Sequence, residues 1–88
     1  MPVISRFYGI LVKMYFGDHA PPHFHAEYGE FSAVISINDF GMLQGYLPPK
    51  ALALVAEWAS VHQQELLDNW ESLSERGDGS FKKIAPLE

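Results

Sequence analysis

The sequence predicts an α+β fold: an antiparallel sheet of four to five short strands, followed by one long bent helix or two helices packed on one face. Two observations carry this expectation. Residues 3–47 hold short β-type runs broken by Gly, Pro, Asn and Asp, whereas Lys50 to Arg76 contains neither Pro nor Gly. Strands first and helices later is the order of an α+β chain and not of alternating β-α units. The length of 88 residues bounds the answer to one domain, 1–88, with a strand half 1–47, a helix half 48–77 and a C-terminal tail 78–88. A hydrophobic fraction of 48% is enough to build its core.

In the strand half, Ile10, Val12, Met14 and Phe16 alternate with Leu11, Lys13 and Tyr15, the period of a strand with unequal faces. Gly17 to Pro22 ends that run, because proline offers no ladder donor. His23 to Tyr28 and Phe31 to Ile37 follow, joined by Gly29-Glu30, which suits a type II′ hairpin turn with Gly first. That turn sets Tyr28 opposite Phe31, Ala26 opposite Ala33 and Phe24 opposite Ile35, six residues expected to face the helices. The other face then pairs Glu27 with Ser32, His25 with Val34 and His23 with Ser36. Asn38 to Gly41 reads as a turn, and Met42 to Leu47 as a last strand.

Pro48-Pro49 marks a helix start, since the first turn tolerates a missing N–H. Gly77 is expected as its C-terminal cap. One straight helix of this span would run about 42 Å, long for so small a chain, so a bend near Ser60 to Gln63 is expected. Leu52, Leu54, Val55, Trp58 and Val61 cover more of the helix than a thin sheet can bury. They are expected to present an apolar patch to a protein partner or a second copy. Phe81 to Leu87 either docks at a sheet edge or stays loose.

Composition excludes several function classes. Eleven acids against six scattered bases give a net charge of −5, which argues against a nucleic-acid partner bound through its phosphates. The absence of cysteine removes disulfides, thiolate metal sites and thiol nucleophiles. No apolar run reaches the ~20 residues of a membrane span, and Met1 to Arg6 lacks the pattern of a signal peptide. The expected location is the cytoplasm, with no membrane partner.

The sharpest local pattern is Asp18-His19-Ala20-Pro21-Pro22-His23-Phe24-His25-Ala26-Glu27. His23 and His25 are two apart, so a strand projects both imidazoles from one face, about 6–7 Å apart along the chain. That spacing lets them share a divalent ion such as zinc or nickel, with Asp18, His19, Glu27 or His62 as additional ligands. No His-Glu-x-x-His signature accompanies them, and hydrogen-bonded surface histidines are the competing reading. Ser32 and Ser36 share the face, without the Gly-x-Ser-x-Gly elbow of a hydrolase.

The chain also resembles a small prokaryotic family, domain of unknown function 4160. The resemblance is carried by Ile4 to Gly9, the run Asp18 to Tyr28 with its Pro-Pro-His-Phe-His core, Leu47-Pro48, Trp58 with His62, Leu66 to Trp70, and Lys82 to Leu87. Gly41-Met42-Leu43 departs from it, where a more polar turn is expected. The resemblance implies a small cytosolic prokaryotic protein whose gene neighbours another short gene, in the manner of toxin–antitoxin pairs. It carries over no catalytic residue.

Three functions follow as expectations. The first is a protein-interaction module, half of a toxin–antitoxin-like pair, and not an enzyme. The second is a divalent-metal-binding protein or metal-dependent hydrolase built on His23 and His25. The third is a small nuclease-type toxin using His19, His23 and His25 with Arg6.

Overall fold

The computed structural model describes residues 3–88. Among them five strands, β1 (Val3–Phe7), β2 (Ile10–Lys13), β3 (His23–Tyr28), β4 (Phe31–Ser36) and β5 (Met42–Gly45), precede two helices, α1 (Pro49–Val61) and α2 (Gln63–Leu73). The strands form one antiparallel sheet in chain order, each paired with the next. The fold is α+β, and no helix among the described residues is long and apolar enough to cross a membrane.

The β3–β4 register is the one the turn predicts, from Tyr28 opposite Phe31 to His23 opposite Ser36. Gly29 takes a left-handed φ of 58° and Glu30 does not, as a type II′ turn requires. Phe24, Ala26, Ala33 and Ile35 are buried together with Ile10 and Val12, and the helices cover them with Val55, Trp58, Ala59, Leu66 and Leu73. Trp58 sits at the centre of this layer. Its ring lies 5.2 Å from Phe7 and 6.0 Å from Phe24, and its indole N–H donates to the Ala85 carbonyl at 2.8 Å. Buried indoles need such a partner.

The helix half breaks within the expected segment. His62 separates α1 from α2, and its N–H is shared between the Trp58 and Ala59 carbonyls, 3.2 Å from each. The tail docks without becoming a strand: Ile84 is buried and its N–H donates to the Ile4 carbonyl at 2.9 Å. Asn69 clamps Lys82 from α2, donating to its carbonyl and accepting its N–H, each at 2.8 Å.

Five expectations need correction. Tyr28 and Phe31 lie at the hairpin tip, exposed, beyond the reach of the helices. The second strand ends at Lys13, not Phe16, because continuing its register would set Phe16 opposite Pro22, which has no N–H to give. The last strand ends at Gly45, short of Leu47, where a φ of 82° turns the chain. Gly77 does not cap the helix, which ends at Leu73 with Ser74 as its cap residue; a side chain at Gly77 would instead collide with the Ser72 carbonyl. Val55 and Trp58 are wholly buried inside the chain and offer nothing to a partner. Of the expected patch, Leu52 and Leu54 are half-buried, and Val61 is 71% exposed.

Candidate metal centre

The face of the sheet turned away from the main core carries His23, His25 and Glu27 on β3, beside Lys13 on β2. After Lys13 the chain leaves the sheet, and Gly17 donates its N–H to the Leu73 carbonyl at 2.8 Å, which ties this loop to the end of α2. The loop then returns through Asp18 and two prolines to start β3. Asp18 is thereby folded back over the first residues of the strand.

One oxygen of Asp18 meets both imidazoles. Oδ2 lies 2.8 Å from His23 Nε2 and 3.2 Å from His25 Nε2. The two rings stand 5.3 Å apart, nearly edge to face. Each of the three residues offers one ligand atom within 4.8 Å of the others. Burial raises the Asp18 carboxyl, but the hydrogen bonds of His25 and His23 outweigh it, and the group sits below its ordinary value.

The second nitrogen of His23 fixes the chemistry. His23 Nδ1 lies 2.7 Å from the Pro21 carbonyl oxygen. A carbonyl only accepts, so Nδ1 carries the proton. In the neutral ring Nε2 is then a lone pair, pointed at a carboxylate oxygen 2.8 Å away. Two acceptors at that distance repel each other. Either a second proton on His23 or a cation among the three residues removes the conflict. A histidine whose outer N–H is held by a backbone carbonyl is the arrangement in which metal-ligating imidazoles are fixed.

Of the six residues expected as ligands, the fold brings Asp18, His23 and His25 together and leaves Glu27, His62 and His19 outside the cluster. Glu27 is taken by Lys13, whose Nζ donates to both carboxylate oxygens at 3.0 Å. His62 pairs through Nδ1 with Glu65 at 2.6 Å and leans on Trp58 at 5.5 Å. His19 is exposed, and its backbone N–H donates to Asp18 Oδ1 at 3.2 Å. Trp70 of α2 covers His23, the ring centres 5.0 Å apart. Tyr15 stands edge-on to His25 at 4.6 Å. Neither aromatic contact has a local sequence signal, since both arise from tertiary packing.

A family model matches residues 9–71, most of the chain and all of the run from Asp18 to Glu27. No curated protein and no solved structure matches. The chain belongs to the family described as Domain of unknown function (DUF4160).

Proposed function

We propose that this protein binds a divalent transition metal, zinc or nickel, through Asp18 Oδ2, His23 Nε2 and His25 Nε2. The observation that carries the reading is the shared oxygen: one carboxylate atom faces two imidazole nitrogens, one of which belongs to a ring already committed at Nδ1. The spacing supports it. Two ligands about 2.0–2.1 Å from zinc at a tetrahedral angle lie roughly 3.3 Å apart, close to the 2.8 and 3.2 Å found here. Two imidazoles and a carboxylate are also a common donor set for zinc, and imidazole suits nickel. Calorimetric titration of the full chain with zinc and nickel tests the reading. The wild type binds one ion; a His23→Ala, His25→Ala double variant does not. Equal weak binding by both returns these histidines to hydrogen-bonded surface residues.

A second reading, the interaction module, is favoured by a separate observation. Phe40 to Pro49 carries no charge in a chain of net charge −5. Within that run Met42, Leu43 and Tyr46 are exposed, and Phe31, its ring 5.7 Å from that of Tyr46, is exposed beside them. This strip along β4 and β5 replaces the helix patch as the surface for a protein partner or a second copy. Light scattering of wild type and Leu43→Lys is the check on self-association. The nuclease reading gains nothing comparable, since Arg6, its phosphate contact, is an exposed residue of β1 paired with Leu11, two strands away from His23 and His25 on β3.

A further inference from the structure

We propose that this metal centre keeps one coordination position open, and that the position takes a small anionic oxygen donor, a carboxylate or hydroxamate, seated in the groove beside His25. The inference rests on the metal-binding reading above. Closed structural zinc sites use four protein ligands, whereas three protein ligands leave a position for an exchangeable group. Three gather here. Glu27 and His62, which could have completed the set, are engaged by Lys13 and Glu65, and the exposed His19 imidazole is not among the converging ligand atoms.

Burial decides the direction of the opening. The His23 side chain is 11% exposed under the Trp70 ring, while Asp18 and His25 are 27% and 28% exposed. Two hollows reach those more open residues. The one at Asp18, about 440 Å³, is lined by Glu71 and Glu75 as well as Arg76. Its carboxylates attract a cation and repel an anion. The one at His25, about 270 Å³, is lined by Tyr15, Glu27, Ser32 and Gln44. There the Glu27 charge is answered by Lys13 at 3.0 Å. Ser32 and Gln44 add a hydroxyl and an amide that donate hydrogen bonds to an anion. The metal reaches its ligands from the acidic side, and the anion joins it from the neutral side.

The test uses the full chain loaded with cobalt(II), whose visible spectrum reports its ligands, titrated with acetohydroxamate. The expected result is a saturable spectral change. Gln44→Leu weakens that response about fivefold, the order of one hydrogen bond, with cobalt affinity unchanged; Glu75→Gln leaves the response as in wild type. Bound cobalt whose spectrum ignores hydroxamate overturns the open position while sparing the metal centre. A hydroxamate response indifferent to Gln44→Leu overturns the placement in the groove. Failure to bind cobalt at all removes the centre itself, and this inference with it.

Discussion

On one side of β3, Phe24 and Ala26 are wholly buried among Ile35, Ala33 and the helices. On the other, His23, His25 and Glu27 stand half-buried beside Asp18 and Lys13. The first five residues of the strand alternate between these two environments, yet the reasons for their identities differ. Hydrophobic burial accounts for the inner side: a large apolar side chain such as Phe24 or Ile35 taken from water contributes about 1.5–3 kcal/mol. Nothing in the packing of the outer side requires two imidazoles set against one carboxylate oxygen. The inner side explains the fold, and the outer side points to chemistry.

Breaking the inner side gives the largest effect. Phe24→Ala is expected to cost about 3–5 kcal/mol of unfolding free energy in a denaturant titration. His25→Ala in the metal-free protein is expected to cost less than about 1 kcal/mol. A loss at His25 as large as that at Phe24 would make the outer side structural and dissolve the contrast.

Adding metal sharpens the comparison next. Zinc at a hundred times its dissociation constant raises stability by about 2.7 kcal/mol through mass action. Thermal melts of wild type show that gain, Phe24→Ala retains it, and the His23→Ala, His25→Ala variant loses it. Protons compete with metal for imidazole nitrogen, so the gain shrinks as the solution is acidified.

Asp18 gives a smaller, pH-dependent effect. Its folded carboxyl lies below the ordinary value because the hydrogen bonds of His25 and His23 outweigh burial. A lowered carboxyl stabilises the fold above the unfolded value, near pH 3.9, and that stability is lost as pH falls through the folded value. Solvent screening at a partly exposed site limits the contribution to about 1 kcal/mol. Urea titrations between about pH 5 and pH 2.5 should show a steeper acid loss in wild type than in Asp18→Asn. Parallel curves would mean that the shared oxygen carries no such linkage. Smallest of all, Lys13→Met is expected to cost about 0.5 kcal/mol, since the Lys13–Glu27 pair is partly exposed.

Local signals in the sequence carried the inner side well. The Gly29-Glu30 turn fixed every β3–β4 pair, and the length of the helical run required the break now found at His62. What escaped were consequences of coverage and neighbours. Tyr28 and Phe31 follow the apolar alternation, but it cannot say where the helices stop covering the sheet. Val55 and Trp58 read as surplus because the docked tail, which adds Ile84 and the Ala85 carbonyl to the core, has no periodicity of its own. On the outer side the sequence showed the pair His23 and His25, and Asp18 only as an accessory. Lys13 claims Glu27 because pairing sets Lys13 opposite His25, one diagonal step from Glu27, and no spacing within one strand reveals that.

Nitrogen-15 NMR of the four imidazoles, without and with one equivalent of zinc, tests the metal centre most directly, because it reads the state of each ring nitrogen. The expected result is Nδ1 protonated and Nε2 metal-bound at both His23 and His25, with His19 and His62 unchanged. Nε2 of both residues unchanged by zinc, or zinc shifting His62 in their place, would contradict the centre.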